Sequence, residues 1–234
     1  QLRLHLGGDR LVQEEAARQI SEAVRDMPTT MKQLAIVQFF TWFALPFMWQ
    51  FYGLTVARHV FGAAEEGSAA FKAGTEWGGV CFAVYNFVCF LVAFGIPPLA
   101  AKIGRKGVHI VCLLLGGLGL ISTYFATGPY FLWIGMAGVG IAWASILSMP
   151  YVILAGAIRP ERMGVYMGVF NLFIVIPQVV QSFLTPQIYK PLLGDNPLNA
   201  VMLGGASLIV AALCVFIVKD VGEAKIEGVS AGGH

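Results

Sequence analysis

The sequence predicts an all-α membrane protein with six transmembrane helices, and three observations carry that prediction. The chain has 234 residues, of which 57% are hydrophobic, and its mean hydropathy is +0.74. Only 12% of its residues are charged, about half the roughly 25% usual in soluble domains. Six apolar segments each approach or exceed the length of about 20 residues that a helix needs to cross a bilayer core.

Taken in order, residues 1–32 read as a cytoplasmic linker. Within "RLVQEEAARQISEAVRDM" (10–27), Val12, Ala16, Ile20, Val24 and Met27 recur at helical spacing among charges, which predicts an amphipathic helix packed on the membrane domain. Its acids balance its bases, so it lacks the cationic excess of a free membrane-surface anchor. The membrane domain, 33–218, holds spans at about 33–57, 77–101, 108–126, 130–158, 164–189 and 197–218, none containing Lys, Arg, Asp or Glu. The breaks between them, such as "KIGRKG", "TGP", "RPER" and "LLGDNP", carry the Gly, Pro and charge expected of connections. Residues 219–234 form a tail. The chain begins with Gln1 and has no basic-then-apolar leader, so a fragment or a processed piece is expected.

An even number of spans puts both ends on one side, and basic residues mark the cytoplasmic one. The two tails and the loops at 102–107 and 159–163 hold twelve of the fifteen Lys and Arg residues. Both termini are therefore expected in the cytoplasm.

The same composition excludes several functions. Nucleic-acid binding needs a basic face, and the formal net charge is only +2. Cys81, Cys89, Cys112 and Cys214 lie in apolar runs without metal-ligand spacing and read as small core residues. No nucleophile triad, paired carboxylate or metal cluster is visible, so no enzyme, cofactor or metal is expected. The glycine runs "GGLGL" (116–120) and "GMAGVG" (135–140) lie inside spans and read as close-packing faces rather than nucleotide loops.

Polar residues inside the spans carry the functional signal. A buried amide without a partner costs several kcal/mol in hydrocarbon, as an order of magnitude. In "GVFNLFIVIPQVVQSF" (168–183), Asn171, Gln178 and Ser182 share one helix face with Gly164, and either a neighbouring helix or a polar solute can meet them. In the first span Gln38, Thr41, Trp42, Trp49 and Tyr52 fall in one sector, the combination of amide, hydroxyl and indole that binds sugars. Trp49 and Tyr52 also fit an interfacial aromatic belt. Asn86 in "FAVYNF" and Ser145, Ser148 and Tyr151 in "WASILSMPY" add polar groups to two more spans. Prolines 46, 97, 98, 150 and 177 permit kinks.

From Asp26 to Val218 the chain resembles the C-terminal six-helix half of a major facilitator superfamily transporter, and more narrowly the bacterial sugar/proton symporters of the sucrose and maltose type. The stretches that carry this are "DMPTTMKQLAIVQFFTWFALPFMW", "EWGGVCFAVYNF", "CLLLGGLGLIS", "GVGIAWASILSMPYVILAGA" and "MGVYMGVFNLFIVIPQVVQS". The loop "AAKIGRKG", with Lys102, Gly104, Arg105 and Lys106, is similar to the superfamily's cytoplasmic loop signature. It departs from it at Ala101, where an acid is usual, and at Pro97, where the leading glycine is usual.

The resemblance implies twelve helices in two halves, a solute site between them, and alternating access in the inner (plasma) membrane. This chain would supply one half, with the N-terminal six-helix half, the lipid bilayer, a sugar and a proton as its partners. Gln38, Trp42, Asn86, Ser148, Asn171 and Gln178 are the expected cavity residues. No carboxylate lies within a span, so the coupling acid is expected in the other half or at Glu76. The alternatives are a major facilitator for a drug or peptide, whose cavity would be more apolar, and a six-helix membrane protein that does not transport.

Overall fold

A computed structural model describes residues 2–222; Gln1 and residues 223–234, which include most of the expected tail, lie outside it. Among the described residues there are nine α-helices and no strand. After α1 (Leu2–Arg25), the first span is α2 (Thr29–Thr55), prolonged by a wider turn at Val56–Val60. The second is broken into α3 (Ala69–Ala93) and α4 (Ile96–Ile103), and the third is α5 (Arg105–Ser122). The fourth is broken into α6 (Leu132–Ile146) and α7 (Met149–Ala157), followed by α8 (Met163–Ile188) and α9 (Pro197–Cys214). Six helical stretches are long and apolar enough to cross a membrane, in agreement with the six expected spans.

Local chemistry fixes the helix ends. The Ser68 hydroxyl accepts a hydrogen bond from the Phe71 amide at 3.1 Å, capping α3 well before the expected start at 77. Hydropathy counting misses that turn because "AAFKAGTE" is helical without being apolar. At α9 the Asn196 side chain accepts from the Leu198 amide at 3.0 Å, and Pro197 occupies the first turn, where no N–H is needed.

The packing has an internal two-fold pattern. α2 lies along α9 as α6 lies along α5; α3 rests on α6 as α8 rests on α2; α5 and α9 meet in the middle. The pattern exchanges the first three spans with the last three. Because three is odd, corresponding spans run in opposite directions, which is the inverted three-plus-three arrangement of a major facilitator half. Glycines allow the closest approaches. A Cβ on Gly117 would lie 2.8 Å from the Gly205 carbonyl oxygen, and one on Gly205 would lie 2.8 Å from that of Gly117. Likewise a Cβ on Gly135 of α6 would lie 2.5 Å from the Gly119 carbonyl oxygen of α5. The glycine runs thus act as packing faces.

Two helices are left with free flanks. In the most apolar stretch of each span, 17% of residues are buried for α3 and 22% for α8, against 44% to 56% for the other four. The polar stripe of α8 belongs to this open side.

At the end of α8, Arg162 reaches Glu22 at 3.8 Å and Asp26 at 3.9 Å and lies over the Tyr166 ring, while the Tyr166 hydroxyl donates to the Asp26 carbonyl at 3.2 Å. Glu22, Ala23 and Asp26 share a face of the chain at α1, so these links roll the helix to bury Ala23. Ile20 and Val24, expected in the packed stripe, are each 48% exposed; the side chains of Val12 and Ala16 are outside those described. On its solvent side the Glu15 carboxylate accepts from Gln19 and from Arg18, both at 3.0 Å, and these bonds hold its pKa below the usual range.

Candidate functional site

The six residues expected to line a cavity separate into two groups. Gln38 and Trp42 lie inside the bundle. Gln38 is fully buried and Trp42 is 7% exposed. The Gln38 amide oxygen and nitrogen and Trp42 Nε1 have no hydrogen-bond partner among the described residues. Trp143 of α6 packs edge-on against both Trp42 and Trp49, with centroids 5.8 and 5.9 Å apart, so three indoles cluster where α2 meets α6.

The other four are exposed or half-buried and lie on α3, at the α6–α7 break and on α8. Asn86 is exposed and donates to the Phe82 carbonyl of its own helix at 2.9 Å. Ser148 is half-buried and donates to the Ala144 carbonyl at 2.7 Å. Gln178 is half-buried and donates to the Ile174 carbonyl at 3.0 Å. Asn171 is exposed, and its side-chain oxygen accepts from the Tyr151 hydroxyl at 3.3 Å, which joins α7 to α8. The amide oxygen of Gln178 and the amide nitrogen of Asn171 thus have no partner among the described residues and keep bonding capacity to spare. Gln178 and Ser182 border a shallow groove of about 390 Å³ on α8.

The remaining polar residues of that stretch are met locally. The Gln181 amide donates to the Thr185 hydroxyl at 2.8 Å, and that hydroxyl donates back to the Gln181 carbonyl at 2.7 Å. Pro177 cannot donate to the Phe173 carbonyl, so the helix is weakened beside Gln178.

The basic loop is a structural junction. Gly104 adopts φ 78° and ψ 154°, a region essentially restricted to glycine. Arg105 pairs with Asp220 at 3.1 Å and donates to the Val152 carbonyl at 3.3 Å, and Lys106 donates to the Phe216 carbonyl at 3.2 Å. The carboxylate that Ala101 does not supply thus comes from beyond the last span. Lys102 is exposed. Glu76, the in-chain candidate for a coupling acid, is exposed beside Lys72 at 4.0 Å.

Two residues escaped the sequence reading. His109 is fully buried inside the third span, with Nδ1 2.8 Å from the Ser145 hydroxyl of α6 and Nε2 unpartnered among the described residues. Its signal in the sequence is an imidazole inside the apolar run "GVHIVC". Trp143 gave no periodic signal, because its value comes from reaching two rings on another helix.

No family model matches the chain. It is similar to the sucrose transport protein SUT1 of Oryza sativa subsp. japonica, at 25% identity over 247 aligned residues, covering 92% of this chain and 45% of the relative. The same values hold for the sucrose transport protein SUT1 of Oryza sativa subsp. indica. The chain thus spans about half the length of the relatives it matches. It is a multi-pass, all-α membrane protein, and its six apolar helices, in two inverted triplets, fit half of a major facilitator fold homologous to these sucrose transport proteins.

Proposed function

We propose that the chain forms one six-helix half of a secondary sugar transporter. In this reading the free flanks of α3 and α8 face a second half across the solute path, and the cytoplasm holds both termini. The observation that carries the reading is the polar stripe of α8: Asn171 is exposed and Gln178 half-buried, and each keeps an amide atom without a hydrogen-bond partner among the described residues. In hydrocarbon such atoms are costly, and hydroxyl groups of a sugar, together with water, meet them well. The relatives' names support the sugar, and the coverage of less than half of each relative supports the missing half.

Coupling to a proton completes the proposal and rests on the resemblance to proton symporters. The test is uptake of labelled sucrose and maltose by cells expressing the complete reading frame, with and without a protonophore. Saturable accumulation that the protonophore abolishes is expected. Good membrane expression with accumulation of neither sugar would reject the proposal.

A further inference from the structure

The fourth span is not one helix. Ser148 at the break has φ −122° and ψ −57°, and Pro150 in the first turn of α7 leaves the Ile146 carbonyl without its usual amide partner. The last turn of α6 tightens instead: the Ser148 amide donates to the Ser145 carbonyl at 3.1 Å, and its hydroxyl covers the Ala144 carbonyl. The second span breaks in the same way between Ala93 and Ile96, ahead of Pro97 and Pro98.

The two breaks face each other. A cavity of about 680 Å³ lies between them, with Ala93, Ile96 and Pro97 on one wall and Leu147, Ser148 and Val152 on the other. Two interrupted helices bordering one space have both the flexible points and the room for motion.

α5 spans the fourth-span break, and its first residue, Arg105, also lines this cavity. One turn apart on α5, His109 bonds Ser145 before the break and Arg105 bonds Val152 after it. Arg105 also follows α4 directly through Gly104, so the residue that holds α7 is the one that ends the α4 connection. Past the break, Gly156 of α7 packs on the chain near Gly222, where a Cβ would come within 3.0 Å of the Gly222 Cα.

We propose that the breaks at 94–95 and 147–148 are a paired hinge, and that α4 and α7 swing together about them as a gate. His109 and Arg105 are positioning residues that splint the hinge from α5. The inference holds whichever solute is carried, and its test needs no solute.

The experiment is hydrogen exchange, read by mass spectrometry, on the complete protein in lipid nanodiscs. Arg105→Lys keeps a cation beside Asp220 and drops the bond to Val152; His109→Ala drops the bond to Ser145. Each is expected to speed exchange at 147–153 by roughly two- to tenfold, the factor carried by one hydrogen bond. The same rise is expected at 94–99, which neither altered side chain contacts through these bonds, while α2 and α9 stay unchanged. His109→Asn, which keeps a polar atom near the Nδ1 position, is expected to restore slow exchange. A rise in every helix, a rise at 147–153 alone, or no rise would each overturn the paired hinge. Uptake assays on the same variants report on the transport reading separately.

Discussion

Replacing Gly135 by Ala tests the helix packing that positions every candidate residue. The added Cβ would lie 2.5 Å from the Gly119 carbonyl oxygen and 2.7 Å from the Ser122 hydroxyl oxygen. A carbon meeting a carbonyl oxygen settles at about 3.3 Å, so α5 and α6 must part by about 0.8 Å. The backbone of Gly119 cannot rotate away as a flexible side chain could. Overpacking of this kind costs about 1–3 kcal/mol, which for a domain of this size lowers the melting temperature by about 2–12 °C. Gly79→Ala is the control, because a Cβ there meets nothing within 4 Å. At a mid-helix site with free space, alanine should instead add about 0.5–1 kcal/mol. The assay is thermal unfolding of both variants in the same detergent. Equal stability of Gly135→Ala and the parent, with Gly79→Ala destabilised, would refute the close α5–α6 contact.

Other outcomes follow from the same geometry. Gly104→Ala places a Cβ in a glycine-only backbone region and is expected to cost about 1–3 kcal/mol, measured by the same melt. Arg162→Ala removes two long, part-exposed ion pairs worth about 0–1 kcal/mol each. It should leave the melting temperature nearly unchanged while trypsin cleaves faster at Arg18 and Arg25, and unchanged cleavage would mean that other contacts dock α1. For orientation, a membrane-impermeant thiol reagent applied to intact cells should label Glu66→Cys and leave Lys102→Cys unlabelled. The reverse pattern would invert the topology.

The spans were legible because lipid imposes length and composition together: an uninterrupted apolar run with no charge is seldom anything but a membrane span. Helix ends were less legible, as the early start of α3 at Ala69 illustrates, since a cap such as Ser68 acts on backbone groups and leaves no trace in hydropathy. The breaks at Pro97 and Pro150 were visible as prolines, but nothing local to either told that both border one cavity. Among site residues, the α8 stripe was legible from helical periodicity alone. Gln38 is expected to line the cavity and is fully buried; periodicity cannot distinguish a face turned to a solute path from one turned into the bundle. The Arg105–Asp220 pair was illegible because it joins residues 115 positions apart.

The most direct test of the account is sugar-induced thermal stabilisation of the complete purified protein, compared with its Gln178→Leu and Asn171→Leu variants. Gln178 bonds only within its own helix, so its leucine variant should melt close to the parent, whereas Asn171→Leu also removes the Tyr151 bond between α7 and α8 and should lose about 0.5–1.5 kcal/mol of stability. Each should bind sugar more weakly by about 1–3 kcal/mol per lost hydrogen bond, roughly a ten- to hundredfold loss of apparent affinity. Variants that melt well below the parent but keep its sugar affinity would contradict the account, by making the α8 stripe a packing surface rather than part of the solute path.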